Sequence, residues 1–143
     1  MSSIFWICAS AWFVAQFLKV LLYYLQTKKI DLGLFFSSGK MPSSHSAFVS
    51  ALTMSVGLTD GFESNLFAVC LVFSFIVMYD AAGVRRAAGE HAAVINIIIE
   101  NIENQGIKID GRLKELLGHS PIEVISGAVL GIIVALAYKC LFG

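Results

Sequence analysis

Long apolar runs alternate with short polar segments along this chain, and each run reads as a membrane-crossing helix. The run from Ile4 to Leu25 exceeds the roughly 20 residues that a spanning helix needs. Further runs extend from Pro42 to about Leu58, from Leu66 to about Tyr79, and from Ser120-Pro121 to about Phe142. The third is short and would be completed by flanking small residues. The pattern predicts four crossings.

The segment 87–118 does not fit a fifth crossing. Apolar residues dominate from Val94 to Ile102, but polar residues recur at helical spacing, at Asn96, Glu100, Glu103 and Asn104. We predict an amphipathic helix in the membrane interface or against the bundle, then a polar loop, with a short helical turn at Leu113–Leu117. The expected fold class is all-α: an integral membrane bundle of about four transmembrane helices plus this interfacial helix, forming one domain over 1–143.

Composition supports the membrane interpretation. Of the 143 residues 57% are hydrophobic and 14% charged, whereas soluble domains are about half apolar and a quarter charged. The net charge of zero gives no indication of a nucleic-acid partner; the expected partners are the lipid bilayer and a membrane substrate. The three cysteines lie in apolar runs and suggest neither a disulfide nor a metal site, and no cofactor is expected.

The second run begins with a concentrated polar motif, Gly-Lys-Met-Pro-Ser-Ser-His-Ser, at residues 39–46. Pro42 suits the first turn of a helix, and Ser43 and Ser44 can cap it. The free N–H groups of such a turn favour an anion such as phosphate, and His45 could exchange a proton with it. The alternative is an ordinary capped helix start at a membrane surface.

Four crossings would place His45, Arg85, Arg86 and His119 at one membrane face. His119 and Glu123 are four residues apart, so a helix would let the carboxylate hold the imidazole by one nitrogen. The basic residues of the same face, Lys28, Lys29, Lys40, Arg85, Arg86, Lys108, Arg112 and Lys114, make it the cytoplasmic face by the positive-inside rule. An anion-binding site would collect basic residues on either side.

Two features lie inside the apolar runs. Gln16 and Lys19 share a helical face in the first run, and Lys19 either faces a polar interior or extends to the interface. Gly127 and Gly131 form a small-residue face that permits close helix packing. This face is the single hint of an assembly role, and it is compatible with a homo-oligomer.

Three blocks of sequence resemble a known superfamily. Pro42-Ser43-Ser44-His45 is similar to the Pro-Ser-Gly-His signature of the type 2 phosphatidic acid phosphatases and vanadium haloperoxidases. The segment from Gly118 to Val124 resembles that superfamily's closing motif. Together with the segment from Tyr79 to Arg86, they resemble its divergent branch of small bacterial and plastid membrane proteins. The resemblance covers the chain from about Lys40 to Gly131.

The resemblance implies a metal-independent phosphatase. His119 would be the nucleophile that forms a phosphohistidine, Glu123 would orient it, and His45 would protonate the leaving oxygen. Arg85 or Arg86, with Ser44 and the neighbouring backbone, would hold the phosphoryl oxygens, and Asp80 would fix Arg85 by a salt bridge unless it is simply a solvated helix-end carboxylate. The expected phosphate-binding set is Arg85, Arg86, Ser44, Ser43, Lys40 and Lys19.

The chain departs from the superfamily pattern in three places. The first motif, a lysine with Arg-Pro seven residues on, is absent, and Lys19, Lys28, Lys29 or Lys40 would have to supply its charge. Glu123 replaces an aspartate. The insert 87–118 separates the arginines from His119, whereas His91 has the family's five-residue spacing from Arg85. We prefer His119 because Ile95, four residues after His91, cannot orient an imidazole.

The predicted function is therefore hydrolysis of a lipid phosphate or pyrophosphate by a multi-pass membrane phosphatase of a bacterial inner membrane or an organelle. Two alternatives stand beside it. One is a non-catalytic protein that binds or transports phosphate or a lipid phosphate, which the missing first motif and the insert favour. The other is a membrane assembly subunit.

Overall fold

The computed structural model describes residues 3–30, 33, 35, 40–107, 109, 111–113, 115 and 118–142. Its helices are α1 (Ser3–Thr27), α2 (Ser44–Asp60), α3 (Asn65–Tyr79), a π-helical turn (Asp80–Val84), α4 (Arg85–Glu103) and α5 (Pro121–Phe142). The described part of the chain contains no strand, and the predicted all-α membrane bundle is confirmed. Lys108 and Lys114 of the basic face lie outside the described residues.

Three helices are long and apolar enough to cross a membrane: α1, the continuous helix Asn65–Glu103, and α5. The fourth predicted crossing corresponds to α2, which has 17 residues and lies between α1, α3 and α5. Its length of about 25 Å falls slightly short of a hydrocarbon core of about 30 Å. The membrane crossing of α2 stays a prediction.

Small and polar residues place α2 at the centre of the bundle. Thr53 donates a hydrogen bond to the carbonyl of Cys70 on α3 (3.1 Å), and its hydroxyl lies 2.7 Å from that of Ser74. Ser74 in turn donates to the carbonyl of Val49 (3.0 Å). In contrast, α3 exposes most of its large apolar side chains, as expected of a helix surrounded by lipid. Polar side chains of α2 and α3 thus bond to each other and to the main chain inside the bundle.

Two glycines let α5 approach α2 closely. A Cβ atom added at Gly127 would collide with the carbonyl oxygen of Ser43, and one added at Gly131 would collide with that of Ala47. The predicted small-residue face is thus occupied within the chain. Because a second copy cannot use the same face, this feature no longer indicates a homo-oligomer or an assembly role.

The helix break that the sequence suggested after Tyr79 does not occur. Helix α3 continues through the π turn into α4, which gives one helix of 39 residues, about 58 Å long. The segment Asp80–Val84 contains no proline, and small residues let the backbone widen without ending the helix. The N–H of Arg85 then donates to the carbonyl of Asp80, five residues earlier.

After α4, the chain runs back beside α4, so that Leu113 and Glu115 contact Asn96. The side chain of Asn96 donates to the carbonyl of Leu113 (2.8 Å) and to Glu115 (2.7 Å), and it accepts the N–H of Leu113 (2.9 Å). Asn96 therefore binds both main-chain groups of Leu113. Leu113 and Glu115 are not in a helix. The helical turn predicted at Leu113–Leu117 is wrong at these two positions; Lys114, Leu116 and Leu117 lie outside the described residues.

Candidate active site

The start of α2 is capped by Ser43. Its hydroxyl oxygen accepts the N–H of Ser46 (3.3 Å) and the hydroxyl hydrogen of Ser46 (3.0 Å). Helix α2 therefore begins at Ser44, and Pro42 precedes the cap instead of forming the first helical turn as we expected. The side chain of His45 follows in the first turn and is exposed.

The start of α5 is a capping box built by Ser120 and Glu123. Oε2 of Glu123 accepts the N–H of Ser120 (2.9 Å), and the N–H of Glu123 points to the hydroxyl of Ser120 (3.4 Å). The same Oε2 lies 3.1 Å from Nδ1 of His119, whose side chain is only 3% exposed. One carboxylate oxygen thus both caps the helix and orients a buried imidazole.

Main-chain contacts join the three motifs. The N–H of Ser43 donates to the carbonyl of Glu123 (2.9 Å), and the N–H of His119 donates to the carbonyl of Ala81 in the π turn (2.9 Å). Gly118 has a φ of +83°, and a Cβ there would collide with the backbone N of Arg86. The two ends of the insert 87–118 therefore lie next to each other. The predicted topology requires this, because it places Arg86 and His119 at one membrane face.

These contacts bring His45, His119 and Arg85 to one small pocket, which is also lined by Asp80, Ala81 and Gly118. The volume of the pocket is about 20 Å³, room for about one water molecule. Nδ1 of His119 is turned toward Glu123, so Nε2 is the nitrogen left for chemistry. The arrangement combines two imidazoles and a guanidinium around one space.

The charges around His119 favour its neutral form. Burial lowers the pKa of His119, and the neighbouring charges of Lys19 and His45 act in the same direction. The hydrogen bond and the negative charge of Glu123 oppose this shift. A neutral imidazole with one nitrogen held by a carboxylate is the form that can act as a nucleophile or accept a proton.

Arg85 is held at the rim of the pocket by Asp80. Its Nε donates to Oδ2 of Asp80 (2.6 Å), and the two side chains are 53% and 37% exposed. The salt bridge that we expected between them is present, although exposed pairs of this kind contribute at most about 1 kcal/mol to stability. Because this bond is made by Nε, it leaves the two terminal amino groups of the guanidinium able to bind an anion.

Comparisons with known proteins match this arrangement to a family. The family model described as "Divergent PAP2 family" covers residues 1–134. The chain belongs to the Divergent PAP2 family. It is also 43% identical over 139 aligned residues to the "Uncharacterized membrane protein YuiD" of Bacillus subtilis (strain 168), and the match covers 90% of this chain and 88% of the relative. No solved structure matches the chain.

Several expected residues of this Divergent PAP2 protein lie away from the pocket. Arg86 pairs with Glu90 (3.1 Å), and its backbone lies close to Gly118. Ser43 and Ser44 are buried but do not line the pocket, and the hydroxyl of Ser43 is engaged in the cap. His91, the alternative nucleophile, is exposed on α4 and does not line it either.

Neither of the two candidate lysines lines the pocket of His119. Lys19 is 1% exposed, so it faces the interior of the bundle and does not extend to the interface. Lys40 is exposed, and its Nζ lies 3.9 Å from the centre of the Tyr23 ring. Lys19, Lys40 and Glu123 all line a separate, larger cavity.

Sequence reasoning identified Glu123 but missed the contributions of Ser120 and Ala81 to the site. The pair Ser120 and Glu123 carries the Ser-x-x-Glu signature of a capping box, which predicts their contact directly. The carbonyl of Ala81 carries no sequence signal, because it acts through the main chain. Among the described residues no group of three or more His, Cys, Asp or Glu side chains is arranged to hold a metal ion.

Proposed function

We propose that this protein is an integral membrane phosphatase that hydrolyses a lipid phosphate through a phosphohistidine at His119. The observation that carries the proposal is the buried pair of His119 and Glu123, which shares a pocket with His45 and Arg85. Membership of the Divergent PAP2 family supports it. A membrane substrate agrees with the apolar helices that surround the site.

In the proposed reaction, Nε2 of neutral His119 attacks the phosphorus atom and the bond from phosphorus to the lipid oxygen breaks. His45 in its protonated form gives its proton to the leaving oxygen, so a lipid alcohol departs. Neutral His45 then takes a proton from water, and the resulting hydroxide attacks the phosphohistidine and restores His119. The positive charge of Arg85 offsets the charge on the phosphoryl oxygens in both steps.

Binding requires the pocket to widen, because a phosphoryl group is larger than the water-sized space beside His119. Arg85 supports this step, since its side chain is half exposed and belongs to the rim. Rotation of an exposed arginine is inexpensive compared with movement of a helix. The carboxylate of Asp80 would keep the guanidinium near the substrate during this movement.

The test is phosphate release from phosphatidate in detergent micelles by the purified protein. We expect His119→Ala to abolish release, and His91→Ala, at an exposed position outside the pocket, to retain it. Incubation with substrate labelled at the phosphoryl group followed by rapid quenching should label the wild-type protein but not His119→Ala. Activity that survives His119→Ala and is lost in His91→Ala would contradict the assignment of the nucleophile.

A non-catalytic protein that binds lipid phosphate is the second candidate, favoured by the small volume of the pocket and by the missing first motif. Its signature is saturable binding of phosphatidate without phosphate release from any lipid phosphate or pyrophosphate. Placement of the site on the cytoplasmic face also stays a prediction. Labelling of a cysteine introduced at the exposed Met41 or at the exposed Asp60, in a Cys140→Ser background and from one side of sealed vesicles, would determine it.

A further inference from the structure

A further cavity lies at the end of the bundle that is far from His119. It is formed where α1 begins and where α2 and α5 end, and its volume is about 290 Å³. Lys139 lines it from the last turn of α5, whereas His119 lies just before the start of that helix. About 27 Å of a helix long enough to cross a membrane therefore separates the two places.

Ser55 provides this cavity with a buried hydroxyl group that has no partner. The residue lines the cavity and is only 3% exposed, and its Oγ forms no hydrogen bond with any of the described residues. Buried hydroxyl groups are normally paired, because leaving one unpaired is costly. Thr53 and Ser74 follow this rule in the same bundle. The hydroxyl of Ser55 therefore points to a ligand that supplies the missing partner.

Lys139 is the single charged residue among the described residues that line the cavity. Its side chain is exposed and forms no salt bridge within the described part of the chain. A lysine in the last turn also complements the dipole of its helix, but that effect requires neither a cavity nor Ser55. Asp60, at the end of α2, is exposed to solvent and does not line the cavity, so its charge is screened. The lining therefore favours an anion.

The rest of the lining is amphipathic. Ser3, Thr59 and Tyr138 add hydroxyl groups. Apolar side chains form the other walls: Ile4, Ile7, Leu58, Ala135 and Phe142. The ends of membrane-crossing helices lie at the depth of the lipid headgroups. Such a lining suits an anionic group that is attached to an apolar chain, whereas a free anion would make no use of the apolar walls.

We propose that this cavity binds the headgroup of an anionic phospholipid from the leaflet opposite the pocket of His119. The single charge of Lys139 matches a phosphodiester, which carries one negative charge, and the hydroxyl of Ser55 donates to one of its oxygen atoms. The apolar walls receive the start of an acyl chain. Because Ser3, Thr59 and Lys139 belong to three helices, the bound lipid joins the ends of α1, α2 and α5. This lipid is not a substrate, so the inference does not depend on the proposed function.

The experiment is thermal unfolding of the protein, freed of lipid, in micelles of a neutral detergent. Phosphatidylglycerol should raise Tm by about 3–6 °C at a concentration about tenfold above its Kd, which the same titration gives. Phosphatidylcholine, which has no net charge, and inorganic phosphate should not raise Tm. The absence of a gain with phosphatidylglycerol, as expected of a cavity that holds only water, would overturn the proposal. An equal gain with phosphatidylcholine or with inorganic phosphate would do the same.

Ser55→Ala separates binding of the lipid from packing of the bundle. Because the hydroxyl of Ser55 has no partner, Tm without lipid should not fall, but the gain with phosphatidylglycerol should drop by at least half. Ser74→Ala is the matched control, since the hydroxyl of Ser74 donates to the carbonyl of Val49 (3.0 Å) and Ser74 does not line this cavity. In this control Tm without lipid should fall and the gain should remain. A gain that is unchanged in Ser55→Ala would refute the site.

Lys139→Gln tests the charge. The Kd of phosphatidylglycerol should rise about tenfold, as expected for the loss of one charged hydrogen bond. Lys29→Gln removes the same charge from an exposed position that does not line the cavity, and it should leave Kd unchanged. Equal weakening in both variants would assign the effect to general charge and overturn the proposal.

Arg85→Gln distinguishes this cavity from the pocket of His119, which could also attract an anionic lipid. The substitution removes the guanidinium from that pocket, and the gain in Tm with phosphatidylglycerol should persist. A gain that is lost in Arg85→Gln and kept in Lys139→Gln would place the lipid in the pocket and contradict the proposal. Unfolding requires no turnover, so a protein that releases no phosphate can still show this binding. Failure of the phosphatase and failure of the lipid site are therefore distinguishable.

Discussion

Nδ1 of His119 lies 3.1 Å from Oε2 of Glu123, and this oxygen is also the acceptor for the N–H of Ser120. The carboxylate therefore has two functions that substitution can separate. As a capping residue it satisfies the helix start, for which glutamine serves as well as glutamate. As a charge it orients the imidazole and stabilises the imidazolium.

Glu123→Gln should keep the helix and lose the charge. We expect Tm in detergent to change by no more than a few degrees, while kcat for lipid phosphate falls by about 100-fold or more, the size of effects on proton-transfer catalysis. Phosphate release and thermal unfolding on the same sample measure both. If kcat and Tm fall together, Glu123 acts mainly as a cap.

The pH dependence of activity follows from the environment of His119. Burial lowers its pKa, so the neutral nucleophile persists below the usual value of about 6.5. We expect the acid limb of kcat/KM to lie below pH 6.5, and to move further down in Glu123→Gln because Glu123 raises the pKa of His119. The acid limb can be measured from the rate of phosphate release between about pH 4 and pH 8, a range that includes the usual pKa of histidine. An acid limb above 6.5 would be inconsistent with a buried, neutral His119.

Stability should change with pH in the same range. The unfolded chain protonates His119 at about pH 6.5, whereas the folded protein does so only at lower pH. The contribution of His119 to the free energy of unfolding is therefore complete above this pH and declines as pH falls below it. Tm of the wild-type protein should fall more steeply below pH 6.5 than Tm of His119→Ala; parallel curves would disprove this.

Gly118→Ala should disturb the site more than a positive φ alone explains. A left-handed alanine costs about 1–2 kcal/mol, and at Gly118 its Cβ would also collide with the backbone of Arg86. Gly111→Ala provides the matched control, because Gly111 has a φ of +102° and nothing lies within 4 Å of the added atom. We expect a larger loss of Tm for Gly118→Ala, together with loss of activity. Equal losses would show that the close approach to Arg86 is not important.

Asn96→Ala should release the segment that returns to the site. Three hydrogen bonds of the Asn96 side chain are lost, each worth about 0.5–1.5 kcal/mol. Amide exchange at Leu113 should become faster and kcat should fall several-fold, because this segment leads to Gly118 and His119. Asn101→Ala, at an exposed position of the same helix, should change neither. Unchanged exchange at Leu113 in Asn96→Ala would refute the role of this contact.

Much of the bundle could be predicted from the sequence, because helix periodicity and apolar length are local properties. The predicted runs agree with α1, α2, α3 and α5 to within two residues at every end. The contact of His119 with Glu123 at the start of α5 was predicted correctly, because the two residues are only four positions apart in the sequence. The continuation of α3 into α4 was missed, since a π turn of small residues has the same apolar pattern as a helix end.

The rest of the site depends on contacts between distant parts of the chain. The hydrogen bonds between Asn96 and Leu113 could not be predicted, because Asn96 belongs to a row of polar residues that is equally typical of an interfacial helix. The choice of Arg85 over Arg86 depends on the π turn, which adds one residue to the helix and changes the direction of the side chains that follow. Lys40 lines a different cavity from His119, and this could not be predicted from the sequence because it depends on how the helices pack.

The bonds that join the three motifs run from main chain to main chain, so they do not use the side chains at positions 43, 81 and 119. A relative in which imidazole 119 had been lost could therefore keep the same backbone and yet be inert. A similar fold within this family is therefore weak evidence of catalytic activity. The identity of a few side chains, and not the backbone, decides whether the proposed chemistry is open to a given member.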